Sequence, residues 1–131
     1  MDIGRVYIVR LVLPDSTVVH KVGMCNSPRS TDRMFEIVRS WFNAYRFVPY
    51  AELKLDLQCH NPLKVEQYVH DVLAPVAFTP NKKVQGSTEM FTDLDTEKLK
   101  WFIKACANSR YEEFPKLSLE EAEPICKLLM V

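Results

Sequence analysis

Five side chains of this sequence could do chemistry together: a phenol at Tyr7, cations at Lys21 and Arg33, a carboxylate at Glu66 and an imidazole at His70. Phosphodiester hydrolysis asks for such a set. It needs a positioned water, a base for its proton, positive charge on the phosphoryl oxygens and help for the leaving oxygen. A phenol with an ordinary pKa of about 10 joins proton transfer when a neighbouring cation, for which Lys21 is one candidate, or a metal-bound hydroxide pulls it down. The Arg33 guanidinium offers phosphate a two-pronged fork that lysine cannot reproduce. Glu66 is a hard oxygen ligand suited to Mg2+, which keeps several waters and takes one or two carboxylates. His70, one helical turn later, can orient that carboxylate or touch phosphate.

Taken singly, each residue also has a purely structural reading. Tyr7 can be a core tyrosine and Lys21 a surface residue. Arg33 can pair with Asp32 or Glu36, and Glu66 with Lys64 or His70. Only their order along the chain and the elements that carry them decide between the two.

Val6 to Leu13 and Thr17 to Met24 are β-branched and apolar around the turn residues Pro14-Asp15-Ser16, which predicts a β-hairpin. Tyr7 and Lys21 share a face of that hairpin only if its loop has an odd number of residues. Ser27-Pro28 opens a helix whose apolar stripe is Met34, Ile37, Val38, Trp41 and Phe42. Leu53, Leu55 and Leu57 alternate with polar residues as a third strand with one wet face. Asn61-Pro62 caps a second helix, with Val65, Val69, Val72 and Leu73 inward and Glu66 and His70 on its other face. Thr79 to Thr88 reads as a loop, Glu89-Met90-Phe91 as a short extended piece, and Asp95 as the cap of a helix through Ala107. Leu117 to Met130 is helical in pattern, with Pro124 interrupting or kinking it. The expected fold is α+β, a small, mostly antiparallel three-stranded sheet flanked by helices, with residues 1–95 as the main unit and 96–131 as a helical extension packed on it.

Composition narrows the function classes. The chain has 131 residues, 47% of them hydrophobic, and 17 basic side chains balance 17 acidic ones, so no broad positive field exists to hold a duplex. Any DNA contact must be local, around Arg29 to Arg46 or Asn81 to Lys83. The four cysteines form no CxxC pair and are expected to be free thiols, and the three histidines do not assemble a zinc motif. Neither a leader segment nor a membrane span is evident, so an intracellular, cytoplasmic and soluble protein is expected.

Gly4-Arg5-Val6-Tyr7-Ile8, Lys21-Val22-Gly23, Arg33 on the first helix, Glu66 with His70, and Gly86-Ser87-Thr88-Glu89-Met90-Phe91 occur in the order found in the GIY-YIG nuclease superfamily. The sequence from about Gly4 to about Leu94 resembles its phage and large-DNA-virus branch, where Lys-Val-Gly stands as the second signature. The resemblance implies a DNA endonuclease using Mg2+ or Mn2+ and nicking one strand per active site. In it Tyr7 is base or proton relay, Lys21 and Arg33 are phosphate contacts, and Glu66 is the sole protein metal ligand. The family's arginine would fall at Thr31, flanked by Arg29 and Arg33. Arg33 is preferred because it lies inside the helix. His20 precedes the lysine as an extra base or a hydrogen-bonded sheet histidine, and Glu89 stands where many relatives carry asparagine. The alternative is an inactive module that binds nucleic acid or a partner protein. Trp101, Phe102, Ile103, Leu128, Leu129 and Met130 suit either a helical cap or a homodimer contact.

Overall fold

A computed structural model describes residues 3–26, 30–109 and 114–131. Ser27, Pro28 and Arg29 lie outside the described residues, and with them the expected start of the first helix and one of the two candidate arginines. The chain runs β1 (Ile3–Val12), β2 (Val18–Cys25), α1 (Ser30–Tyr45), β3 (Tyr50–His60), α2 (Pro62–Leu73), β4 (Met90–Phe91), α3 (Thr96–Ala107) and α4 (Leu119–Leu129), with a single 3-10 turn, Ala74–Val76, after α2. The fold is α+β as expected, but the sheet has four strands rather than three, all antiparallel, in the order β3-β1-β2-β4. The fourth strand is only Met90–Phe91, paired with Lys21 and His20.

β1 and β2 pair from Arg5↔Cys25 to Val12↔Val18. The turn closes with Leu13 N–H donating to the Thr17 carbonyl and Ser16 at φ 71°, a left-handed residue ending a three-residue Pro14-Asp15-Ser16 loop. That odd loop puts Tyr7, Gly23 and Lys21 on one face.

The two faces bury separate clusters. Val9, Leu11 and Val19 meet Ile37 and Trp41 of α1, with Met90 and Val84. Val6, Ile8 and Val22 meet Val65, Val69, Val72 and Leu73 of α2, together with Leu99, Ile103 and Cys106 of α3 and Cys126 and Leu129 of α4. Ile103 and Leu129, read as potential contact surface, are therefore core, whereas Trp101 and Leu128 are 68% and 73% exposed. The four cysteines are buried and none is in a disulfide among the described residues, and among these residues no helix is long and apolar enough to cross a membrane.

Three local expectations are corrected. The leucines of β3 do not share a face, because a bulge falls between Ile8↔Leu55 and Val9↔Leu53; Leu57 and Leu55 pack with the α2 side and Leu53 with the α1 side. Asn61 does not cap α2 with its side chain. It sits at φ 57°, a conformation asparagine tolerates, and Pro62 takes the first helical turn. Pro124 does not interrupt α4, which runs from Leu119 to Leu129 and is started by a reciprocal Ser118/Glu121 capping box. Asp95 caps α3 as expected, accepting from Lys98 N–H.

His20 is a buried structural histidine. Its Nε2 shares a 2.7 Å hydrogen bond with the Thr96 hydroxyl, and Nδ1 has no partner among the described residues. Burial first, then the Arg10 charge, pushes its pKa down to about 4. A depressed folded pKa gives stability that is whole above the unfolded value of about 6.5 and lost as pH falls toward 4. Urea unfolding at pH 7 and at pH 4.5 should show His20→Phe to be less sensitive to acid than the wild type, by on the order of 2 to 3 kcal/mol.

Candidate functional site

Tyr7 faces Gly23 directly across the hairpin, and Lys21, two residues along β2, projects from the same face. Both side chains are nearly closed off, 2% and 3% exposed. Gly23 makes room for them: a Cβ there would stand 2.5 Å from the Tyr7 Oη and 2.8 Å from the Lys21 Nζ. The ammonium also lies 5.2 Å from the centre of the Tyr7 ring, a cation–π contact. Gly86, at φ 73°, occupies the other side, where any Cβ would collide with the Lys21 stem.

A buried ammonium needs a counter-charge. Glu89 supplies it through an ion pair to the Lys21 Nζ. Glu89 arrives on the loop after α2, which is held against α1 by buried Val84 and by Gln85, whose backbone N–H donates to the Ser40 hydroxyl at 2.6 Å. Glu89 N–H then donates to the Gly86 carbonyl and Val22 N–H to the Glu89 carbonyl, which fixes the loop along β2.

Beyond Lys21, β4 no longer covers the outer edge of β2, and α2 takes over with polar side chains. His70 Nε2–H donates to the Val22 carbonyl at 2.7 Å, and Met24 N–H donates to Glu66. Because a carbonyl only accepts, Nε2 carries the hydrogen, and the neutral ring turns a bare Nδ1 toward the Glu66 Oε1, 3.9 Å away. Burial lowers the His70 pKa. Burial and the Glu89 charge raise the Glu66 carboxyl to about 7 against the pull of Lys21 and of Met24 N–H. Glu66 is thus poised between acid and carboxylate at neutral pH.

Tyr7, Lys21, Glu66 and His70 are brought together, with Glu89 among them. Arg33 stands at the margin. It pairs with Glu36 at 2.9 Å, one of the structural readings open to it, and that bond first, with the Tyr7 phenol among the smaller contributions, raises its pKa. Sequence reasoning passed over a second guanidinium, Arg5, on the Tyr7 face. Arg5 Nε donates to Asp56 at 2.6 Å; Asp56 lies opposite Tyr7 on β3 and also accepts from the Ser30 hydroxyl at 2.7 Å. The spacing Arg5-x-Tyr7 carried that signal, since alternate strand residues share a face; Asp56 needed the register.

Among the described residues no group of three or more His, Cys, Asp or Glu side chains comes together as a metal centre. What the cluster offers a cation is one or two carboxylate ligands beside an ammonium. Compared with known proteins, the chain matches no family model, no curated protein and no solved structure.

A raised carboxyl pKa has a cost at high pH. Its stabilising share is whole below the unfolded value near 4.5 and is lost as pH rises through about 7. Glu66→Gln should therefore unfold at higher urea concentration than wild type at pH 8, by on the order of 1 to 3 kcal/mol, with the difference shrinking at pH 5. Gly23→Ala should be destabilised at both pH values, because its methyl displaces the phenol and the ammonium together.

Proposed function

We propose that the chain is a GIY-YIG-type nuclease that hydrolyses DNA phosphodiester bonds with Mg2+ or Mn2+, nicking one strand per active site. The observation behind this reading is the convergence of Tyr7, Lys21, Glu66 and His70, from three separate elements, on one end of the sheet. A fold held only by packing has no need to bury Lys21 and Glu66 and to set the partly exposed Glu89 and His70 beside them.

The residues fit a divalent cation. Glu66 is desolvated and shares its surroundings with the Glu89 charge, and a hard cation offsets both penalties. When bound, the metal supplies charge for the phosphoryl oxygens and acidifies a water. The chain's own groups do the rest. Lys21 holds positive charge beside the Tyr7 phenol, which moves a proton, and Arg33, once turned from Glu36, contacts phosphate. His70, anchored on Val22, presents a bare Nδ1 beside Glu66 that can accept a proton.

A second reading, an inactive module binding nucleic acid or a partner protein, draws on the ion pairs: Lys21 is held by Glu89 and Arg33 by Glu36. A double-strand break would need two copies, for which exposed Trp101 and Leu128 are the candidate contact.

Supercoiled plasmid and single-stranded DNA incubated with Mg2+, Mn2+ or a chelator distinguish the readings. Nicking should require metal and fall about a hundredfold or more in Glu66→Ala. Mg2+ should also raise the melting temperature of wild type at pH 8 but not of Glu66→Gln. With so few converging cations, log affinity for DNA should fall against log salt with a slope of only about minus two to minus four. Equal nicking in wild type and Glu66→Ala would overturn the assignment, and DNA binding without cleavage would favour the inactive module.

A further inference from the structure

Arg39 on α1 and Lys83 on the loop after α2, drawn from the two basic stretches of the sequence, line one open groove of about 420 Å³. Ser40 and Asn43 belong to its helix wall and Gln85 to its loop wall. The loop wall is continuous with the Lys21 site, because Gln85 precedes Gly86, against which the Lys21 stem lies. The groove therefore leads away from the Glu66 cluster along α1.

The cations around it are unopposed. Arg39, Arg46, Lys82 and Lys83 form no ion pair among the described residues. Lys82 Nζ donates to the Ala44 carbonyl at 3.2 Å, a neutral acceptor that leaves its charge in place. Glu36, the carboxylate among the lining residues, is already engaged by Arg33 at 2.9 Å and by the Gln85 side-chain amide at 3.0 Å, and Asp32 stands about two turns before Arg39. In a chain whose 17 basic side chains balance 17 acidic ones, this is a local positive field.

Exposed rings accompany the charges. Phe35, Arg39 and Phe42 recur at helical spacing on the side of α1 opposite buried Ile37 and Trp41, and Phe35 and Phe42 are 65% and 43% exposed. Arg46, just past the helix, sets its guanidinium 5.9 Å from the centre of the Phe42 ring. An acidic peptide would use the cations and leave the rings in water. A duplex brings phosphates but keeps its base faces stacked on one another. An unpaired strand brings both, a phosphate on every nucleotide and a base face free to stack.

We infer that this side of α1 holds an unpaired nucleic-acid strand, its phosphates along Arg39 and Lys83 and its bases on Phe35 and Phe42. The inference rests on the nuclease reading for what the strand meets at Lys21, but the binding itself needs neither metal nor turnover.

Fluorescence anisotropy of a labelled short oligothymidylate, with a chelator present, measures binding without cleavage. The double variant Arg39→Gln with Lys83→Gln should bind about tenfold or more weakly at low salt, and its slope of log affinity against log salt should be shallower by about 1.4. Phe42→Leu, which keeps an apolar surface and loses the ring, should bind about fivefold or more weakly. Arg39→Gln alone carries the charge test if circular dichroism shows the double variant altered. A duplex of the same length bound as tightly as the single strand, polyglutamate displacing the strand at equal charge concentration, or an affinity indifferent to both the cations and the ring would overturn the inference. Metal-dependent nicking that Glu66→Ala abolishes, with strand binding indifferent to these substitutions, sinks the groove and leaves the nuclease. Strand binding that depends on them, without any nicking, does the reverse.

Discussion

The buried Lys21 ammonium sets the terms for the part of the molecule around it. Four carbons and a charge are inserted where a sheet normally holds valine, and the surroundings are arranged accordingly. Glycines clear space on two sides, an aromatic ring lies beneath the ammonium, and a carboxylate is carried in on a returning loop. Removing Glu89 would leave the ammonium stranded in a poor solvent, so the loop carrying Glu89 and the strand carrying Lys21 are tied to each other more firmly than the two residue pairs of β4 would tie them alone.

The same constraint accounts for where α2 lies. A strand left open after two pairs exposes backbone groups that must be met, and the His70 and Glu66 side chains meet them at Val22 and Met24. Their hydrogen bonds complete the sheet edge and, in doing so, deliver a carboxyl and an imidazole to the lysine. Structural support and potential chemistry are here the same contacts. Burial in that setting, with the Glu89 charge, holds Glu66 near neutrality against the opposing pull of Lys21 and of the Met24 bond.

Much of this was legible along the chain where it depended on near neighbours. The Pro14-Asp15-Ser16 loop, the stripe through Ile37 and Trp41, and Asp95 as a cap each follow from residues within a turn or two, and the structure has them so. What escaped was decided at a distance. Glu89 looked like a misplaced asparagine because its partner lies 68 residues earlier. The two-residue strand beside it is too short to announce itself by alternation. Leu53 changed sides because register is a property of two strands, and one extra residue in β3 is invisible until β1 lies beside it. Arg33 was read for its type, and its tie to Glu36 was visible as an alternative with no local reason to prefer it.

That extra residue in β3 has a consequence for how the molecule keeps apart from its own copies. β3 is an outer strand of 11 residues, and its far side is a row of hydrogen-bonding groups onto which another chain could add itself. An even, flat border of that length invites fibrous assembly. The bulge near Lys54 breaks the ladder midway and adds twist, while Glu52, Lys54 and Asp56 place charges of both signs along the same stretch. An incoming strand in regular register would match one half of the border and miss the other. The irregularity that sends Leu53 to a different core therefore also makes the longest margin of the sheet a poor template for an added strand.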